Sequence, residues 1–101
     1  MTRYSISWRA RGHLKAIWKY VAQHSQSDAV ASRVISQLLD RFRFLSANPG
    51  VGTRRDDIAP GVRIFSTGAY VVYFLPKKQG VSIAAVYHGA RDHEAAFLGG
   101  E

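Results

Sequence analysis

The stretch from Gly61 to Asp92 constrains the fold of this 101-residue chain more than any other. It holds three strand-like runs, Val62–Ser66, Ala69–Leu75 and Val81–Tyr87. Two turn signals separate them, Thr67 with Gly68, then Pro76 through Gly80. The middle run is apolar at consecutive positions, as a strand buried on both faces requires. The last run ends in a polar cluster, His88 to Asp92. Everything upstream reads as cover for one face of this meander.

Residues 3–8 alternate Tyr4, Ile6 and Trp8 against Ser5 and Ser7, and a period of two predicts a half-buried strand. It is too distant in sequence to form a hairpin with the meander, so it joins the same sheet after a helical detour. From Arg9 to Gln23 the period becomes helical, with Leu14, Ile17, Trp18 and Val21 on one stripe. Gly12 costs about 1 kcal/mol relative to Ala inside a helix, which puts the helix start near it. Arg11, Lys15 and Lys19 form a basic ridge on another face. After a polar break at residues 24–28, Ser27 or Asp28 caps a second helix. Its stripe runs from Ala31 through Leu38 and Phe42 to Leu45, and Asn48, Pro49 and Gly50 stop it. Two helices with a short link form an antiparallel hairpin. Residues 51–61 read as irregular, residues 92–98 as a short helix or tail, and residues 99–101 as frayed. The order is β-α-α-β-β-β: one α+β domain over residues 1–101, an antiparallel sheet of three or four strands packed by an N-terminal α-hairpin.

Composition narrows the function. There is no cysteine, which excludes a disulfide scaffold and a thiolate metal site. No apolar run is long enough to span a bilayer and the N-terminus carries no cleavage signal, so a cytoplasmic protein without a membrane partner is expected. Fourteen Lys and Arg against seven Asp and Glu leave a formal charge of +7, and ten of the fourteen are arginine. Arginine suits planar contacts to phosphate or carboxylate, so the partner is nucleic acid or an acidic protein surface.

No nucleophile elbow, phosphate loop, zinc spacing or paired-carboxylate signature is present. No metal and no cofactor are expected; His88 and His93 have no standard ligand spacing. His88 and Arg91 admit two readings. In one they do acid–base and phosphate work on RNA. In the other His88 caps the strand and bonds a neighbouring helix, while Arg91 pairs with Asp92. Arg54, Arg55 and Arg63 are either a contact surface for an acidic partner or a solvated face neutralised by Asp56 and Asp57. Trp8, Trp18 and Tyr20 fit core packing better than a stacking platform for bases.

Five segments together carry a family resemblance: Leu14–Tyr20 (LKAIWKY), Leu45–Arg55 (LSANPGVGTRR), Pro60–Phe65 (PGVRIF), Gly68–Phe74 (GAYVVYF) and Val86–Asp92 (VYHGARD). In this order and spacing the chain resembles the ParE toxins of the ParE/RelE toxin–antitoxin superfamily, from about Tyr4 to Phe97. The resemblance implies a RelE-like fold and a toxin neutralised by a ParD-like antitoxin that wraps it. It also implies inhibition of DNA gyrase, without catalysis and without sequence-specific DNA binding by the toxin alone. The RelE-like relatives are instead ribosome-dependent mRNA endonucleases, and under that alternative His88 and Arg91 are the catalytic candidates. A third class is a non-toxic antitoxin-binding module. Against nuclease chemistry, Phe97 stands where that branch has a tyrosine and cannot exchange a proton. Ser66 and Val71 stand at positions that are commonly basic there. Two residues depart from the ParE pattern: His13 replaces a common acidic residue, and Ala85 an arginine. The partner-binding candidates are Arg54, Arg55, Arg63, His88, Arg91, Lys15 and Lys19.

Overall fold

A computed structural model describes residues 3–101. Met1 and Thr2, part of the N-terminal stretch expected to lack a leader, lie outside the described residues. The elements run β1 (Tyr4–Ile6), α1 (Trp8–Ser25), α2 (Asp28–Ala47), β2 (Thr53–Arg54), β3 (Arg63–Thr67), β4 (Tyr70–Lys77), β5 (Gly80–His88) and α3 (His93–Leu98). The α+β class and the order of the main elements agree with the sequence pattern.

The sheet is larger and mixed. Its five strands lie in the order β1-β5-β4-β3-β2. The pairs β2–β3, β3–β4 and β4–β5 are antiparallel, but β1 pairs with β5 in parallel, with Tyr4 opposite Val81 and Ile6 opposite Ile83. The helical detour makes this possible, because a parallel neighbour cannot be reached by a tight turn. At that edge Gly80 has φ +125°, and a Cβ there would sit 1.8 Å from the Arg3 carbonyl oxygen. Only glycine lets β1 approach so closely.

Ser7 makes the switch from strand to helix. Its N–H donates to the Ile83 carbonyl, while its Oγ accepts from the Ala10 N–H and donates to the Ala84 carbonyl. The helix therefore begins at Trp8, which leaves the strand it was expected to finish and is 88% exposed. Gly12 lies inside α1, with nothing near its Cα that requires a glycine. Ser27 caps α2, accepting from the Val30 N–H. The β3–β4 turn is Gly68-Ala69, closed by Thr67 opposite Tyr70.

Val72 and Phe74 of β4 pack under the helices with Ile83, Val86, Leu38, Phe42 and Leu45. Val71 and Tyr73 point the other way, into a second cluster with Val62, Ala85, Tyr87 and Ala96. Both faces of β4 are thus buried, as its unbroken apolar run requires. The helical hairpin covers one face; the loop before β3 and the short α3 cover the other, packing Ile58, Ala59 and Phe97 against it. A β-bulge keeps the two sets in phase. Tyr73 faces Ala85 and Phe74 faces Ile83, so Ala84 has no opposite residue. Phe42 is fully buried, and truncating it to Ala costs about 3–5 kcal/mol. Among the described residues, no helix is long and apolar enough to cross a membrane.

Candidate functional site

At the end of β5 the chain gathers polar groups that sequence alone leaves scattered. Arg9 and His13 stand one helical turn apart on α1, facing Tyr87 of β5. The Arg9 guanidinium donates to the Tyr87 hydroxyl (2.8 Å) and to the carbonyls of Ala96 and Phe97, and lies 4.4 Å from the Phe97 ring centre. It therefore fastens α3 to the sheet.

The same groups converge on Glu101. Its backbone carbonyl oxygen accepts from Arg9 Nε (2.8 Å), the Tyr87 hydroxyl (2.6 Å) and His13 Nε2 (3.0 Å). Its carboxylate pairs with Arg91. The last three residues are therefore docked, not frayed. His13 Nδ1 accepts from the Val86 N–H, so the ring is the neutral tautomer with its proton on Nε2. Burial pushes the imidazole below its ordinary 6.5, and Arg9 and Arg91 push the same way, opposed by the bond to Glu101. Burial also raises the Tyr87 hydroxyl, keeping it a neutral donor.

A groove of about 450 Å³ opens beside this cluster. Ala16, Ile17, Tyr20 and Tyr70 give it apolar and aromatic walls, and His13, Tyr87, His88 and Arg91 form its polar end. Tyr20 is 59% exposed and stacks on His24, so it belongs to this surface and not to the core. Trp18 is half-buried, and its indole N–H donates to Ser32 across the helical hairpin. Of the three aromatics expected to pack in the core, only Trp18 is even half-buried.

The candidate residues divide. His88 and Arg91 meet at the groove. His88 accepts the Ala90 N–H through Nδ1 and packs edge-on against Tyr70, bonding its own turn and no helix. Arg91 pairs with Glu101 and lies 5.5 Å from the Tyr87 ring centre, whereas Asp92 caps α3. The expected Arg91–Asp92 pair is thus replaced by a longer-range one. Lys15 and Lys19 are exposed on the neighbouring stripe of α1 and do not line the groove. His93, considered with His88 as a metal pair, instead bonds the Tyr73 hydroxyl at 2.6 Å. Burial, aided by Glu94, pushes that hydroxyl up to about 12.

Arg54, Arg55 and Arg63 lie elsewhere and are engaged locally. Arg54 pairs with Asp56 at 2.6 Å. Arg55 bridges Asp57 (2.8 Å) and Glu94 (2.6 Å), tying the loop to α3, and these bonds raise its already high affinity for its proton. Arg63 donates to the carbonyls of Gly50, Val51 and Gly52, which holds the irregular segment against β3.

Sequence reasoning missed Arg9, Tyr87 and Glu101 as site residues, and saw His13 only as a departure from a family pattern. One signal was present: Arg9, His13, Ile17 and Tyr20 recur at spacings of three and four, so two basic groups continue the stripe that ends at Tyr20.

Residues 4–93 match the family described as ParE toxin of type II toxin–antitoxin system, parDE. The chain belongs to the ParE toxin family. It is similar to Toxin ParE1 of Mycobacterium tuberculosis, in strains CDC 1551/Oshkosh and H37Rv. The identity is 28% over 92 residues, covering 90% of this chain and 93% of the relative. Its fold is like that of a structure described as the chromosomal ParDE TA system from P. aeruginosa, with TM-score 0.68 and 20% identity over 87% of this chain and 96% of that one. Membership of the ParE family places the chain among the toxins of type II toxin–antitoxin systems. The ParE match ends at residue 93, so Phe97 and Glu101, two members of the β5 cluster, lie beyond it.

Proposed function

We propose that this toxin inhibits DNA gyrase by binding, in the cytoplasm, and that a ParD-like antitoxin with an acidic, amphipathic segment neutralises it. The observation that carries this reading is Phe97. It stacks on Tyr73 with ring centres 4.6 Å apart and lies under Arg9, so it serves packing where an RNA-cutting relative is expected to bring a hydroxyl. Val71 supports the same reading. It is 6% exposed, and a cation in its place would sit in the second core cluster. The groove offers apolar walls and a basic end, the chemistry of peptide recognition.

Induced expression tests the proposal. Growth should stop with DNA-damage signalling, co-expression of the neighbouring reading frame should restore it, and purified protein should trap cleaved plasmid with gyrase. Normal gyrase turnover together with ribosome-dependent mRNA cuts would overturn it in favour of His88 and Arg91 as catalytic residues. Tight antitoxin binding without any growth defect would point to a non-toxic binding module.

A further inference from the structure

We propose that Arg9, His13, Tyr87 and Arg91 form a site for an acidic residue, the first three on its backbone carbonyl and Arg91 on its carboxylate, that Glu101 fills from within the chain and an acidic peptide segment fills from outside. Three donors from two elements converge on one Glu101 oxygen, and a guanidinium meets its side chain. A site of this kind favours an acidic residue presenting both a backbone carbonyl and a carboxylate.

Glu101 is an exchangeable occupant. Its side chain is 62% exposed, and its contacts to the cluster are polar. Gly99 and Gly100 add no side-chain packing, and the N–H groups of residues 99–101 donate to the Ala95, Phe97 and Ala96 carbonyls at the open end of α3, bonds that water can replace. The donors remain if Glu101 leaves. Arg9 stays fixed by the Ala96 and Phe97 carbonyls, His13 by the Val86 N–H, and Tyr87 by its burial in the second core cluster.

The groove defines the rest of the occupant. It shares His13, Tyr87 and Arg91 with the acidic-residue site and continues between Ile17, Tyr20 and Tyr70. A segment whose glutamate replaced Glu101 would lay neighbouring apolar side chains into those walls. The net charge of +7 favours approach of such a segment. The site stands on geometry alone; its assignment to the antitoxin's acidic segment rests on the toxin reading above.

The test uses the intact chain, a capped Leu-Gly-Gly-Glu peptide amide and its Gln counterpart, with binding followed by nitrogen-15 NMR. The Glu peptide should perturb the Val86 and Ala90 amides and the His13 ring, and bind roughly threefold more tightly than the Gln peptide, the worth of one exposed ion pair. Glu101→Gln weakens the internal competitor and should tighten Glu-peptide binding by roughly threefold, as for an exposed ion pair. Arg91→Gln, at an exposed position, should leave the amide spectrum that of the folded chain and abolish the preference for Glu over Gln. Equal binding of the two peptides, or a preference that survives Arg91→Gln, overturns the site. That failure with growth arrest and antitoxin rescue intact would leave the toxin reading standing. Peptide discrimination without growth arrest would do the reverse.

Discussion

Two groups of arginines in this protein have opposite fates. From β2 to the start of β3, Arg54, Arg55 and Arg63 are answered locally by Asp56, Asp57, Glu94 and three backbone carbonyls. At the end of β5, Arg9, His13 and Arg91 converge on one acidic residue at the surface, beside an apolar groove. A count of positive charge treats the regions alike. The difference lies in the counter-group: the loop arginines are answered within their own segment and by α3, whereas Glu101 is held by polar contacts alone and its side chain is 62% exposed. The loop arginines hold a segment with little secondary structure in place, whereas the β5 arginines hold something that another carboxylate can replace.

Between the two regions, the largest expected effect breaks the loop. Arg63→Ala leaves the carbonyls of Gly50, Val51 and Gly52 without their donor and should cost about 2 kcal/mol, measured by urea unfolding. Unchanged stability together with weaker antitoxin binding would mean that Arg63 is a recognition residue and the two regions are not distinct. Next, Tyr20→Ala at the exposed wall of the groove should leave the unfolding midpoint in place. It should weaken antitoxin binding about tenfold, as removal of an aromatic anchor does, read by calorimetry.

The two regions should also separate by pH. His13 has a folded value below its ordinary 6.5, so the unfolded chain takes up its proton first. Stability from this group is complete above about pH 6.5 and declines as pH falls through the lowered folded value. Arg9, Tyr87, Arg91 and Glu101 are the titratable groups around it. Thermal unfolding between about pH 7.5 and 5.5 should show the decline, and His13→Gln should flatten it. The loop should be insensitive over that interval. The Gly61 N–H and Arg54 lower Asp56, and Arg55 lowers Asp57, both from 3.8, so their contribution is lost only in stronger acid. The smallest effect belongs to Arg54→Ala. Its pair with Asp56 is solvated, and the unfolding midpoint should not move measurably.

The apolar patterns made most of the fold legible. The run of β4, the stripes of α1 and α2 and the stop at Asn48 to Gly50 all rest on local periodicity and survive intact. Long-range contacts decided what was not. Trp8 continues the alternation of Tyr4 and Ile6, yet Ser7 bonds Ile83 and Ala84 and turns the chain into a helix at Trp8, four residues before Gly12, where the start was expected. The parallel pairing of β1 depends on Gly80, about 75 residues away, where close backbone approach leaves no periodic trace. Two paired residues, Thr53 and Arg54, are too few to give a strand signal.

The site was half legible. His88 and Arg91 stood out because they end a strand in a polar cluster. Glu101 did not, because a Gly-Gly-Glu ending looks frayed until its distant donors are known. Arg63 alternates along a strand like a surface residue, and only the fold shows three carbonyls within its reach.

The central claim is that recognition takes place at the β5 end and not at the arginine loop. Nitrogen-15 NMR of the chain, titrated with the acidic segment of the antitoxin encoded beside it, tests this most directly. The expected result is perturbation of the Val86, Ala90, Arg91 and Glu101 amides, with those of Arg55, Ile58 and Gly61 unmoved. Perturbation centred on Arg55, Ile58 and Gly61, with Glu101 unmoved, would contradict it.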